Sequence, residues 1–438
     1  MTISSYKIAL VGLWHLGEIY SAGLSQLGHR VLGISDDEKV VANLLQGIPP
    51  LPEPQLEKLI SQNCSSGRLR YSTDFKEIEN CNVLWFTFDT PVNDDDDVDL
   101  SSFWEALDKS LPYLQDGMLI LVSSQIPVGT SKKIKEFISK NKPGLSFEYA
   151  YAPENLRLGE AVKCFFEAER IVIGADSEIA FQRAEEIFSG LKAEILKMSS
   201  ASAEVSKHAL NAFLATSISF INEMADICEK AGADILDVSK ALRLDSRIGA
   251  RAFLDAGLGF SGGTLGRDLK ALINFSKERG FCLTVVENVF KKNQDRKDLV
   301  RQRLLEAMGD LGGKTISVFG LTYKPGTRTL RRSRALEIVS DLSSQGAILH
   351  LYDPAVQKEE LPLINNSTFY NNPYEAAQGS DALIFITPWP EFKKLDFKNL
   401  FKNLKPQALL FDTSNLFSDK EKEIQNWGLK YLSIGRWL

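Results

Sequence analysis

Strand and helix patterns alternate twice along this chain of 438 residues, on either side of a helix-only middle. This predicts an α/β protein with two doubly wound, Rossmann-like domains joined by a central helical domain with a long helix. Three observations carry the prediction. Continuous apolar runs, the pattern of strands covered on both faces of a parallel sheet, recur between helical stretches over residues 1–198. Positions 191–231 hold no Gly or Pro. A second alternation opens at Thr315.

The first strand is predicted at Lys7-Ile8-Ala9-Leu10-Val11, followed by a turn over 12–17 and a helix over 18–27. The run at 31–34 reads as the second strand and ends in Ser35-Asp36-Asp37. Further strands are predicted at 83–88, 118–122, 147–151 and 171–173. The acidic run 94–97 reads as a solvated loop. Residues 203–230 read as one helix with apolar residues on more than one face. Such a helix is buried by more than its own domain, which makes it a core helix and a candidate dimer interface. Helical structure continues to about Met308, and strands follow at 315–320, 348–352, 382–387 and 408–411. The expected domains are therefore 1–198, 199–309 and 310–438.

Composition narrows the function. Lys and Arg number 51 against 57 Asp and Glu, a net charge of −6, so no global basic field invites nucleic acid. Five cysteines are scattered, with no CxxC pair. That argues against a zinc site or a disulfide framework and fits a reducing compartment; no metal is expected. No signal-peptide pattern and no apolar run near the ~18 residues of a membrane helix is present, so a cytoplasmic protein with no membrane partner is expected.

Gly12-Leu13-Trp14-His15-Leu16-Gly17 has the spacing of a GxGxxG dinucleotide turn with Trp14 at the middle glycine. Gly12 suits the tight turn, and Gly17 suits close packing of helix on strand. The helix N-terminus offers free N–H groups to a diphosphate. The acid that takes the ribose hydroxyls is expected ~20 residues on, where the chain has Ser35. Asp36 and Asp37 follow, and two carboxylates there would repel a 2′-phosphate. NAD is favoured over NADP.

Motifs in order along nearly the whole chain resemble the UDP-glucose/GDP-mannose dehydrogenase family. They are Pro50-Leu51-Pro52-Glu53-Pro54-Gln55-Leu56, Thr90-Pro91, Ile126-Pro127-Val128-Gly129-Thr130 and Pro153-Glu154-Asn155-Leu156-Arg157-Leu158-Gly159. Ala203-Glu204-Val205-Ser206-Lys207 follows, continuing through Asn211 to Gly232-Ala233-Asp234. Gly320-Leu321-Thr322-Tyr323-Lys324-Pro325, Arg331-x-Ser333, Tyr352-Asp353-Pro354 and Thr387-x-Trp389 complete the set. The resemblance implies oxidation of the C6 hydroxymethyl of a UDP- or GDP-linked sugar to a carboxylate, with two NAD per sugar and a cysteine-bound intermediate. It also implies dimerisation through the long helix.

Lys207 and Asn211 stand four apart on the predicted helix and so share a face. Two such donors can stabilise a developing alkoxide. The resemblance assigns Asp268 to orienting the lysine and a water, and Glu154 to general base work or holding the hydrolytic water. It places Asn155, Leu156, Arg247, Phe253, Phe260 and Lys324 at the substrate, with Thr90 and Arg331 near the cofactor. Core packing is the competing reading for each aromatic.

The departures are specific. The family's Phe-Gly-Gly-x-Cys-x-x-Lys-Asp stands here as Phe260-Ser261-Gly262-Gly263-Thr264-Leu265-Gly266-Arg267-Asp268, so Thr264 replaces the nucleophilic cysteine. A threonine hydroxyl is far less acidic than a thiol and is crowded by its β-branch. Leu158 replaces a second glutamate, Gln125 a threonine and Cys164 an acid, while Thr329 and Ser414 replace a third-domain Asp and Arg. Cys164, beside Phe165-Phe166, reads as an inert thiol rather than a relocated nucleophile. These losses fall around the second oxidation and the hydrolysis, which leaves two routes: a two-electron oxidation that stops at an aldehyde or ketone, or a four-electron oxidation through an aldehyde hydrate, with water replacing the thiol. A nucleotide-sugar-binding sensor or scaffold without turnover is the alternative. A 6-phosphogluconate-type dehydrogenase would share the first domain and long helix, but not the second α/β domain.

Overall fold

The computed structural model describes residues 5–93 and 97–436. Most of the acidic run 94–97 therefore lies outside the described residues. The chain divides into two compact units, Met1–Leu210 with Asn274–Phe281 and Asn211–Ile273 with Cys282–Leu438. The helices of the middle are thus shared between two units.

The first unit is built on eight strands. They are β1 (Lys7–Val11), β2 (Arg30–Ile34), β3 (Leu69–Ser72), β4 (Val83–Phe86), β5 (Met118–Val122), β6 (Phe147–Tyr151), β7 (Arg170–Ala175) and β8 (Glu194–Met198). Their order is β3-β2-β1-β4-β5-β6-β7-β8, parallel throughout except for β6 against β7. The first six strands follow the dinucleotide-binding order, which reverses between β1 and β4. Successive side chains of β1 face opposite sides. Ile8 and Leu10 join one core, and Ala9 and Val11 the other. Helices α1 (His15–Gln26), α2 (Glu38–Leu45), α3 (Leu56–Ser65), α4 (Ser101–Ser110), α5 (Thr130–Asn141), α6 (Ala161–Phe166) and α7 (Glu178–Phe188) connect the strands.

Helix α8 (Ser200–Ala231) confirms the long helix expected at 203–230. Its first turns are fixed by Glu204, whose buried carboxylate accepts from the backbone N–H of Gly129 at 2.6 Å and Ser131 at 2.7 Å. A carboxylate at the start of α5 satisfies N–H groups that a helix leaves unpaired and suits its dipole. Further along, Phe213, Phe220 and Ile227 are exposed. Their spacing of seven keeps them on one apolar stripe.

The second unit contains α9 (Ile235–Leu244), most of α10 (Leu265–Glu278), α11 (Thr284–Asp295) and α12 (Leu299–Met308). A six-stranded parallel sheet follows: β9 (Thr315–Phe319), β10 (Ile348–Tyr352), β11 (Ser367–Phe369), β12 (Ala382–Phe385), β13 (Leu409–Asp412) and β14 (Lys430–Ser433). Its order, β11-β10-β9-β12-β13-β14, repeats that of the first six strands of the first sheet. Helices α13 (Arg334–Ser344), α14 (Pro373–Ala376), α15 (Phe397–Lys402) and α16 (Glu421–Asn426) cover it.

All ten expected strands are present, with ends shifted by up to two residues. Four more, β3, β8, β11 and β14, carry no continuous apolar run. Each is the edge of its sheet. An edge strand is covered less completely, so polar residues interrupt it, as in Leu69-Arg70-Tyr71-Ser72. All five cysteines are free thiols. No helix among the described residues is long and apolar enough to cross a membrane.

Replacing Glu204 by Ala leaves two helix-start N–H groups without their acceptor. Urea unfolding of the variant is expected to show a loss of about 2–4 kcal/mol, with a smaller loss for Glu204→Gln.

Candidate active site

The first βα turn is shaped by contact. Gly12 adopts φ 104°, and a Cβ on Gly17 would stand 1.9 Å from the Gly12 carbonyl oxygen. Only glycine lets α1 approach β1 this closely. Thr87 Oγ1 donates to that same carbonyl at 2.9 Å and braces the turn from the end of β4. No side chain caps the start of α1, so its first N–H groups face the switch point free to bind an anion. Leu13 and Leu16 bury their side chains in the core and offer only backbone, while Trp14 is half exposed. The turn therefore fits a dinucleotide even with Trp14 at the middle position. Thr90, just beyond, is buried.

The acids after β2 are already engaged. Asp37 caps α2, accepting from Lys39 N–H at 2.8 Å and Val40 N–H at 3.2 Å. Asp36 pairs with Lys109 at 2.8 Å. Ser35 Oγ accepts from Asp37 N–H at 3.2 Å. Of the two carboxylates expected to repel a 2′-phosphate, Asp37 is a helix cap and Asp36 is half of an ion pair.

Two buried glutamates flank the turn. Glu53 accepts from His15 Nε2 at 2.9 Å and from the N–H groups of Gly159 at 2.6 Å and Ala161 at 3.1 Å. Burial alone would raise its pKa; the three donors outweigh burial and hold it below the ordinary value. Glu18 is equally buried, yet neither carboxyl oxygen makes a hydrogen bond of normal geometry. Burial pushes its pKa up to about 9, opposed by the Leu51 backbone and reinforced by Asp89 and Glu53. Glu18 is thus a neutral acid at pH 7.

Lys207 is buried on α8. Its ammonium donates to the Glu154 carbonyl and lies 3.4 Å from Asn155 Oδ1 and 3.6 Å from Glu154 Oε1. Glu154 Oε2 accepts from Leu156 N–H at 2.5 Å, which curls the loop after β6 around the carboxylate. The structure thus brings together Glu154, Asn155 and Lys207, and Leu156 packs against the core. Cys164 lies in the same unit, its sulfur 3.4 Å from Arg157 Nε.

In the second unit, Asn211 Nδ2 donates to Asp268 Oδ2 at 2.5 Å, and Arg267 Nε lies 3.3 Å from Asp268 Oδ1. Asp268 is fully buried in the first turn of α10. Thr264 precedes that helix, is exposed, and lends its carbonyl to Asp268 N–H at 3.1 Å. The loop before it is held by groups that the sequence did not single out. Asn293 accepts from Phe260 N–H at 2.8 Å and donates to the Phe260 carbonyl at 3.0 Å. Arg334 donates to the same carbonyl at 3.1 Å. Phe260 itself is buried with Ala212, Ala215, Leu269 and Val289, so its ring is a packing element and its backbone is the anchored part. Phe253 is half exposed. Arg247 is exposed and forms a bidentate pair with Asp245, at 3.0 and 2.7 Å. Asn293 and Arg334 carry no signal in the sequence, because their partner is backbone.

Three distant motifs converge at the turn after β9. Asp353 Oδ2 accepts from Leu321 N–H at 2.6 Å, Thr322 N–H at 3.2 Å and Trp389 Nε1 at 3.2 Å. Thr387 Oγ1 donates to the Thr322 carbonyl. This cluster sits at the strand-order reversal between β9 and β12 and fixes the segment leading to Lys324, whose ammonium lies 5.7 Å from the Tyr323 ring centroid. Arg331 is exposed nearby in sequence. No group of three or more His, Cys, Asp or Glu side chains among the described residues could hold a metal ion.

A βαβ turn built for a diphosphate, with a buried lysine paired to a carboxylate loop in the same unit, defines a nucleotide-dependent oxidoreductase of the doubly wound class. Comparison with known proteins narrows this. The chain matches the NAD binding domain (residues 6–192), the central domain (201–295) and the UDP binding domain (317–419) of one family. It is 35% identical over 434 residues to UDP-glucose 6-dehydrogenase TuaD of Bacillus subtilis, covering 98% of this chain and 93% of that one. It is 34% identical over 440 residues to a UDP-glucose 6-dehydrogenase of Rhizobium meliloti, covering 98% and 99%. A UDP-glucose dehydrogenase structure from Pyrobaculum islandicum superposes with a TM-score of 0.90 at 29% identity, covering 100% and 99%. The chain belongs to the UDP-glucose/GDP-mannose dehydrogenase family, and NAD is its cofactor.

The neutral Glu18 predicts a pH dependence. Its folded pKa lies above the unfolded value of 4.5, so its contribution is complete below pH 4.5 and is lost as pH rises toward about 9. Glu18→Gln should match the wild type near pH 4.5. It should then gain on the wild type by up to about 1.4 kcal/mol per pH unit above that, measured by urea unfolding across pH 5–9.

Proposed function

We propose that this protein oxidises a hydroxymethyl carbon of a nucleotide sugar by one hydride transfer and stops at the aldehyde. The observation that carries this reading is Thr264 at the position of the family's nucleophile, while Lys207, Asn211 and Asp268 are kept. When bound, NAD supplies the hydride acceptor. Lys207 and Asn211, one turn apart on α8, hold the substrate oxygen by two donors as it loses its proton toward the Glu154 carboxylate. Asp268 orients the Asn211 amide through its 2.5 Å hydrogen bond. The first step needs no covalent nucleophile: a C–H bond breaks, its electron pair leaves with the hydride, and the C–O bond becomes a carbonyl. A second oxidation in this family passes through a thiol adduct, and the Thr264 hydroxyl is too weak an acid to replace that thiol.

The substrate reading rests on the curated relatives, which are UDP-glucose 6-dehydrogenases, and on the match to a UDP binding domain. A UDP-hexose is therefore the first substrate to test, with GDP-hexoses second. Arg247, Phe253 and Lys324 are assigned to nucleotide and sugar, a guanidinium fork suiting a diphosphate. Asn155 and Leu156 are assigned to the sugar, and Thr90 and Arg331 to the cofactor. The domains assigned to these tasks are 1–198 for cofactor, 199–309 for dimerisation and 310–438 for the nucleotide sugar. Five free thiols support a reducing, cytoplasmic setting.

The working form is a homodimer through residues 203–230. Phe213, Phe220 and Ile227 form an apolar stripe that a second copy of α8 would cover. Light scattering should report a dimer for the wild type and a monomer for Phe213→Glu/Phe220→Glu.

A panel of UDP- and GDP-sugars with NAD tests the chemistry, following NADH yield and product mass. One NADH per sugar and an aldehyde product are expected; two NADH with a uronic acid overturn the early stop. Thr264→Cys should add the second oxidation. Absence of NAD reduction across the panel, with nucleotide-sugar binding retained, would favour a sensor or scaffold instead.

A further inference from the structure

We infer that Glu53 is a positioning residue that ties the cofactor turn to the catalytic loop after β6. The role given to Glu154 in that loop rests on the function proposed above; the connection itself does not. Glu53 lies between two prolines, Pro52 and Pro54, which restrict its backbone, and Gln55 follows in the left-handed region at φ 72°. The segment is therefore stiff, and it brings one buried carboxylate against two functional segments at once. On one side, Oε1 stands 2.9 Å from Nε2 of His15, the first residue of α1 and a neighbour of the uncapped N–H groups that would receive a diphosphate. On the other, Oε1 accepts from Gly159 N–H at 2.6 Å and Oε2 from Ala161 N–H at 3.1 Å.

Those two amides close the loop that begins at Glu154. Gly159 takes φ 85°, and Ala161 opens α6. The loop is thus held at both ends: near Glu154 by Lys207, and at 159–161 by Glu53. An ionised carboxylate only accepts, so His15 must present Nε2–H to Glu53. Any shift of His15 when the turn is filled acts on the carboxylate that fixes Gly159 and Ala161. Glu18, the other buried acid at the turn, makes no hydrogen bond of normal geometry to any of these donors. A glutamine at position 53 would have one acceptor oxygen for three donors, and its NH2 would meet another N–H.

The test is amide hydrogen exchange on the full chain, with and without NADH at a concentration saturating each variant. No sugar is needed, so the result is independent of which substrate or product the enzyme has. In the wild type, NADH should slow exchange in peptides covering 157–164 by at least about threefold, beyond the turn itself. His15→Phe keeps a ring but removes the donor, and should abolish that distant effect while NADH still protects residues 12–18. His15→Gln keeps a donor and should restore it. Glu53→Gln should speed exchange at Gly159 and Ala161 even without NADH. The inference is overturned if NADH leaves 157–164 unchanged in the wild type. It is equally overturned if His15→Phe transmits the effect as well as the wild type does.

Discussion

The grip of Glu204 on the start of α5 is the constraint that the first unit's chemistry depends on. A carboxylate taken out of water is costly unless donors replace the water it loses. Glu204 recovers two strong donors, from Gly129 and Ser131. That satisfies the carboxylate and the helix start together. It also fixes the rotation of α8 about its axis, and Lys207 lies one turn on. With that rotation set, the Lys207 ammonium reaches the Glu154 carbonyl and Asn155.

The other buried acids follow the same rule, and the one exception is informative. Glu53 has three donors, and Asp353 has the N–H groups of Leu321, Thr322, Ala355 and Val356 and Trp389 Nε1, largely backbone and neighbouring rings. Asp412 holds Phe417 N–H at 2.7 Å and the Tyr431 hydroxyl at 3.0 Å. Each organises a turn at the end of a strand or the start of a helix, where backbone N–H groups are free. Glu18 lies within α1, where the N–H groups are spent on the helix itself. It finds no comparable set and keeps its proton. Both Glu53 and Glu18 are buried, and only Glu53 accepts hydrogen bonds of normal geometry from backbone N–H groups.

Thr264 is the position on which the proposed early stop rests. The loop that carries it is anchored through Asn293 and Arg334 on the Phe260 backbone. Its surroundings hold position without supplying a reactive group. On the function proposed above, Lys207, Asn211 and Asp268 serve the hydride transfer, and the missing thiol removes the covalent acyl intermediate.

The sequence by itself determined the two α/β domains, the long helix and the ten inner strands. Burial on both faces forces an unbroken apolar run, and such a run is readable without coordinates. It also held the motifs whose resemblance assigns Thr264 to the nucleophile position. Only the tertiary structure decided the edge strands, whose half-exposed residues leave no run to read. Only it showed that Phe260 is a packing ring, that Asp36 and Asp37 are engaged by Lys109 and α2, and that Glu53 meets His15 and Gly159. Those outcomes depend on donors brought from distant segments or from backbone, and a residue's own neighbours in sequence do not reveal its partners in space.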